Sequence, residues 1–261
     1  MRLTPPLAAA ALALTLTACA GGDAGPGPTA AQSASTSTAA ESPTSTPTDT
    51  GEPFDPEEFT GRLAAAVEEN PTVAIDVQVK LDEKTTATAK GIQDLGRNAL
   101  DMDVDLGGQQ LGYLLVDGQY YLAQPPKWVP VTEDSDNPLI EQTLQQIQIL
   151  SMRNQLDAFI AGVEKAGIKG EEEIDGVTTT HYTATVNTEK SLNALDMDKA
   201  AGTPDTVIYD VWLDEEDLIR KMSFSQNGAL ATMTATNWGE PITIEAPAES
   251  ELAAPPSDGT A

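Results

Sequence analysis

Residues 72–81 read TVAIDVQVKL, and this decapeptide decides the fold. Val73, Ile75, Val77, Val79 and Leu81 alternate with Ala74, Asp76, Gln78 and Lys80. A strict period of two with β-branched residues on one side is the mark of a strand with one dry and one wet face. Such one-sided strands belong to antiparallel sheets.

The same pattern continues on either side. A Thr/Ala-rich strand is expected near 85–93. Leu100, Met102, Val104 and Leu106 then alternate with Asp101, Asp103 and Asp105. Gly107-Gly108 turns the chain into a strand at 111–117, and Asp117-Gly118 into another at 119–123, because paired positive-φ residues favour tight hairpins. Trp128–Val131 reads as a short strand. Upstream, Asp55 is a good helix N-cap, Pro56 suits the first turn, and Glu58 completes a capping box. Phe59, Leu63, Ala66 and Val67 form that helix's apolar stripe, and Asn70-Pro71 stops it.

The middle reads as helical. Residues 138–150 carry Leu139, Ile140, Leu144, Ile147 and Leu150. Residues 153–166 carry Leu156, Phe159, Ile160 and Val163, with Gly167 as C-cap. Strands return at 169–174 and 177–187 around Asp175-Gly176, and a short helix is expected near 188–195. Strands at 206–213, 218–226 and 229–238 follow, and a last one at 241–245. Runs of strands interrupted by one block of helices give an α+β fold with one large antiparallel sheet. About ten strands twist and curl, so the expected shape is a half-barrel with helices over its concave apolar face. The helices are too few and too short to cover that face tightly. Two outcomes stay open at this stage, a cavity for an apolar ligand or a filled core.

Composition narrows the function. The 261 residues carry 41 acidic and 14 basic side chains, for a formal charge of −27. That balance argues against nucleic acid, which needs a basic patch, and against electrostatic adhesion to anionic lipid. One cysteine cannot form an internal disulfide or a Cys-based zinc site, and one histidine leaves no multi-His metal centre. There is no Gly-x-Ser-x-Gly elbow and no phosphate-binding P-loop. His181 lacks a recognisable nucleophile and reads as a structural strand residue. Asp101, Asp103 and Asp105 fail the calcium-loop pattern, since Leu106 and Gly112 stand where Gly and Glu are required. They read as a solvated strand face, and Glu171–Glu173 and Asp214–Glu216 as surface turns. Trp212 shares its face with Asp210 and Asp214, with Arg220 placed to stack on it. No catalytic residue, metal or cofactor is expected.

The lone cysteine has a different explanation. Met1-Arg2 precedes an uncharged Ala/Leu stretch from Leu7 to Leu16, too short to span about 30 Å of hydrocarbon. It runs into Leu16-Thr17-Ala18-Cys19, which resembles the lipobox of bacterial lipoproteins. The resemblance implies cleavage before Cys19, a diacylglyceryl thioether on its sulfur, and acylation of the new amino terminus. Residues 1–18 are then a lipoprotein signal peptide. Of residues 20–53, 29 are Ala, Gly, Pro, Ser or Thr. A segment that buries so little cannot offset its ordering entropy, so 19–53 reads as a lipidated cysteine and a tether of about 30 Å. Residues 54–247 form the domain and 248–261 an unstructured tail.

Three stretches of the domain, GEEEIDGVTTTHY (170–182), YDVWLDEEDLIR (209–220) and NWGEPITIEAP (237–247), resemble the actinobacterial LppX/LprA/LprF/LprG lipoproteins. That resemblance implies a half-barrel like that of the LolA/LolB carriers. It also implies binding of acylated lipid or glycolipid and its transport within the envelope. It further implies a lipid anchor on the extracytoplasmic face of the cell membrane, with an export permease as a candidate partner. Residues expected to line the ligand space are Val73, Ile75, Val77, Val79, Met102 and Val104 on strands. Leu144, Ile147, Leu156, Phe159, Ile160 and Val163 are their counterparts on helices. The rival reading is an envelope module that docks on another protein through its acidic face.

Overall fold

The computed structural model describes residues 52–131, 151–200 and 202–253. The expected helix at 138–150, with Leu144 and Ile147, lies outside these residues, as do Cys19 and the signal peptide.

The chain begins with β1 (Glu52–Phe54) and α1 (Pro56–Glu69). The helix starts where Asp55 Oδ1 accepts from the N–H groups of Glu57 and Glu58, both at 2.9 Å. Among the described residues the return arm from Glu58 is not made, so Asp55 caps alone. The helix ends at Asn70, whose Nδ2 donates to the Ala66 carbonyl. Six strands follow: β2 (Thr72–Leu81), β3 (Lys84–Asp94), β4 (Ala99–Leu106), β5 (Gln109–Val116), β6 (Gln119–Gln124) and β7 (Lys127–Val131). After α2 (Met152–Gly162) come β8 (Val163–Ile174) and β9 (Val177–Asn187). A single turn and a half, α3 (Thr188–Asn193), precedes β10 (Thr206–Leu213), β11 (Ile219–Gln226) and β12 (Ala229–Thr236).

All twelve strands form one antiparallel sheet, in the order β1, β8, β9, β10, β11, β12, β2, β3, β4, β5, β6, β7. The sheet is open, with β1 and β7 as its edges. Its centre is β12 beside β2, a pairing of residues more than 140 apart in sequence, with Ala235 opposite Ile75 and Ala231 opposite Val79. Four hairpin loops, Gly107-Gly108, Asp117-Gly118, Asp175-Gly176 and Asn227-Gly228, have positive φ at both residues, as the sequence foretells. Asp82-Glu83 does the same with no glycine, at φ 48° and 64°.

Both helices with a buried stripe lie on one face. Phe59, Leu63, Met152, Leu156 and Phe159 join Val73, Ile75, Met102, Tyr113 and Val211 in one core. Each such side chain taken fully from water contributes about 1.5–3 kcal/mol. The start of α2 is fixed by the sheet. Gln93, almost fully buried on β3, accepts the Met152 N–H at 2.7 Å, and Arg153 donates to the Leu95 carbonyl.

Four expectations need correction. The helix expected over 153–166 stops at Gly162, and Val163 already pairs with Val186 of β9. A Cβ on residue 162 would lie 2.1 Å from Ser191 Oγ and 2.6 Å from Val186 Cγ1, so the helix can meet α3 and β9 only at a glycine. Residues 241–245 form no strand. Every strand between the edges already pairs on both sides, and Asn237 and Gly239, with φ of 57° and 70°, turn the chain off the sheet. It continues instead as a strap over the outer face, where Ile242 and Ile244 pack with Ala99, Leu114, Val116, Tyr121 and Trp128. The strap runs beyond Pro247, where the sequence reading ended the domain. Lys127 donates to the Ser250 carbonyl, and the Ala253 N–H reaches the Trp128 carbonyl at 2.7 Å. At the other end, Glu52 and Pro53, read as the end of the tether, belong to β1.

Candidate functional site: the helix-bearing face of the sheet

The helix-bearing face is mainly apolar, with Gln93 as a buried polar side chain in the row of Val73 and Leu100, and its burial is graded. At the end near the Asp214–Leu218 turn it is closed: Val73, Ile75, Leu100, Met102, Leu213, Ile219 and Ala235 are all buried. Toward the Asp82-Glu83, Gly107-Gly108 and Asn227-Gly228 loops the same rows open. Along β2 the exposure climbs from 0% at Val73 to 45% at Leu81. Val77 and Val79 between them are half-buried. In register with them, Ala231 and Met233 on β12, Met222 and Phe224 on β11, Leu106 on β4 and Leu111 on β5 are half-buried as well, while Ala89 and Val104 between Val77 and Leu111 stay buried. Hence a continuous apolar strip emerges from a packed core, crosses the central strands and reaches the hairpin tips.

A chain of aromatic rings runs beside it. Phe54 meets Tyr182 at 5.7 Å between centroids, Tyr182 meets Phe59 at 5.1 Å, and Phe59 meets Phe159 at 6.2 Å. Phe159 meets Tyr209 at 5.3 Å, and Tyr209 meets Phe224 at 4.7 Å. Tilted and edge contacts at these distances are favourable beyond simple burial. Burial pushes the Tyr209 phenol up to about 12, so it presents a neutral ring at ordinary pH.

The residues expected to line the site separate along this gradient. Val73, Ile75, Met102, Val104, Leu156 and Phe159 lie in the packed core. Val77, Val79, Ile160 and Val163 are half-buried, at its border. The strip residues Met222, Phe224, Ala231 and Met233 were not singled out from sequence. Their signal is the alternation in IRKMSFSQ (219–226) and ALATMTAT (229–236).

Away from the strap, the outer face is polar across β8 to β11, and the family-like stretches meet there and at the Asp214–Leu218 turn. His181 lies between two carboxylates, Nδ1 at 2.9 Å from Glu172 and Nε2 at 2.8 Å from Asp210. Its ring stacks on Trp212 at 4.2 Å, and the indole N–H donates to Glu172. The bond from Trp212, then that from His181, holds the Glu172 carboxyl below its usual range. The cation on Trp212 is Lys221, at 4.3 Å, rather than Arg220. Arg220 is taken by Asp214, at 2.6 Å. Asp214 is itself almost buried and accepts from the Glu216 and Leu218 N–H groups, organising the turn. Glu171–Glu173 sit within β8, not in a turn. Asp217 pairs with Arg62 of α1 through two bonds, and the Trp238 indole donates to the Ile219 carbonyl at 2.8 Å. Asp101, Asp103 and Asp105 lie on the outer side of β4, and Asp105 caps the Gly107-Gly108 loop through the Gly108 N–H. Among the described residues no group of three His, Cys, Asp or Glu side chains is placed to hold a metal ion. Nor is any helix there long and apolar enough to cross a membrane.

An open twelve-stranded antiparallel sheet with a few helices against one face defines a half-barrel protein. Solved structures share that fold. The lipoprotein LppX of Mycobacterium tuberculosis is similar at 17% identity and a TM-score of 0.52, over 73% of this chain and 98% of that one. LprF of Mycobacterium bovis is similar at 16% identity and a TM-score of 0.53, over 76% and 100%. No curated protein sequence matches the chain. The model of the LppX_LprAFG lipoprotein family matches residues 72–244, and the chain belongs to that family.

Proposed function

We propose that this protein is a membrane-anchored lipoprotein that binds an acylated lipid or glycolipid on the helix-bearing face and carries it within the cell envelope. The observation that supports this most is the strip from Val77 to Leu81 and its neighbours. It is an apolar surface continuous with the core and left partly uncovered, where an ordinary core would be closed. Acyl chains laid on it gain about 0.8 kcal/mol per methylene removed from water. The polar headgroup stays at the hairpin tips. No catalytic chemistry is required, and the bonds made by His181 are those of a strand residue locked between carboxylates. The anchor is the diacylglyceryl thioether on Cys19, which becomes the amino terminus once residues 1–18 are removed, and the domain stands on the extracytoplasmic side. An export permease remains the candidate partner.

Anchor and carrier separate experimentally. Cys19→Ala chain is expected to move from the membrane pellet to the soluble fraction. It should still take up a fluorescent acyl lipid saturably, because the strip proposed to hold the lipid is built from residues 77–233, far from position 19 in the sequence. Cys19→Ala protein that still sediments would remove the anchor assignment. Soluble protein that takes up no labelled lipid would remove the carrier assignment.

A further inference from the structure

The outer face carries a second feature that lipid carriage does not use. A groove of about 270 Å³ is lined by Asp76, Gln78, Lys80, Lys221, Thr232 and Thr234. Register explains its make-up. Lys221, Thr234, Asp76 and Lys90 stand in one row across β11, β12, β2 and β3. Thr232 and Gln78 stand in the next row, and Lys80 lies one row further on. The groove therefore offers two ammonium groups, two hydroxyls and an amide beside one carboxylate, with the Thr234 hydroxyl already 3.5 Å from the Asp76 carbonyl to which it donates.

Its charge is opposite to that of the chain. The protein carries −27, yet among the described residues neither Lys80 nor Lys221 has a carboxylate within ion-pair distance. The groove's own carboxylate, Asp76, is 3.8 Å from Lys90, which offsets it. Lys221 is also positioned in advance. Its ammonium rests on the Trp212 ring, and Trp212 is held by its stack on His181 and its bond to Glu172. A half-buried lysine fixed in this way needs little further ordering to meet an anion.

We propose that this groove is a binding site for an oxyanion, a phosphate or carboxylate, carried on a hydroxyl-rich group that the Thr232 and Thr234 hydroxyls and the Gln78 amide can bond. The site is independent of the apolar strip on the opposite face. The source of the anion is either a free envelope component or the headgroup of a membrane lipid. The test uses the full chain with Cys19→Ala, so that the anchor does not contribute. Calorimetric titration at low ionic strength with inorganic phosphate is expected to saturate. Lys80→Gln combined with Lys221→Gln should weaken it by about tenfold or more, while Lys165→Gln combined with Lys169→Gln leaves it unchanged. Co-sedimentation with phosphatidylcholine vesicles containing phosphatidylglycerol then identifies the source. Binding to both probes points to a headgroup, and binding to phosphate alone to a free anion. Phosphate heat that fails to saturate, or that persists in the Lys80/Lys221 variant, overturns the proposal.

Discussion

Gly91→Ala is expected to destabilise the domain by about 3 kcal/mol, the upper end for overpacking. That lowers the melting temperature by about 6–12 °C for a domain of this size. A Cβ at residue 91 would lie 2.0 Å from the Asp101 backbone oxygen and 2.8 Å from both Cα and Sδ of Met102. The obstruction is mainly the backbone of β4, which cannot turn aside as a side chain could. Gly91 also sits in the row Ile75, Gly91, Met102, inside the packed part of the helix-bearing face, so any shift of β4 disturbs the core. Gly61 provides the contrast. It lies on the exposed side of α1 with nothing within 4 Å of a built Cβ, and Gly61→Ala should stabilise by about 0.5–1 kcal/mol. Thermal melts of the two variants decide the matter. A Gly91→Ala chain that melts with the wild type would mean that β3 and β4 do not approach as described.

The second large effect concerns the strip. Val79 and Ala231 are direct neighbours on β2 and β12, both half-buried on the apolar face. Val79→Asp with Ala231→Asp places two carboxylates side by side where acyl chains are proposed to lie. A bound chain would then have to desolvate them, which costs several kcal/mol when no partner is near. Uptake of labelled lipid is expected to fall by at least about tenfold, equivalent to about 1.4 kcal/mol. The fold should survive, because these positions remain partly open to water. Circular dichroism establishes folding and the uptake titration gives the result. Undiminished uptake by a folded variant would place the ligand elsewhere.

Much of this architecture is legible in the sequence, because in a one-sided sheet the pattern of single strands carries the information. TVAIDVQVKL and ALDMDVDL each declare their dry side, and Asp-Gly, Asn-Gly and Gly-Gly pairs declare the hairpins. The limits of the sequence reading have physical causes. The end of α2 is set by contact of Gly162 with α3 and β9, which no local propensity encodes. Ile242 and Ile244 alternate like strand residues, yet they serve a strap, because they lie across the outer face of β4 and β5, which already pair on both sides, and the chain bridges the free edge of β7 only further on, at Leu252. Glu52 and Pro53 become a strand only because β8 presents an edge.

For the site, alternation identifies which residues face the helices but not how well they are covered. Val73 and Leu81 look alike in sequence and lie at opposite ends of the burial gradient. The outer-face network is hidden for a related reason. Glu172, His181, Asp210, Trp212 and Lys221 come from four strands, and only the register brings them together.

The central claim is that the half-opened apolar face holds lipid. Native mass spectrometry of the intact chain, purified from its own membranes without a delipidating step, tests it most directly. The account predicts a bound species of discrete mass that extraction identifies as an acylated lipid and that the Val79→Asp, Ala231→Asp chain lacks. Repeated recovery of the wild-type chain free of any co-purified lipid would contradict it.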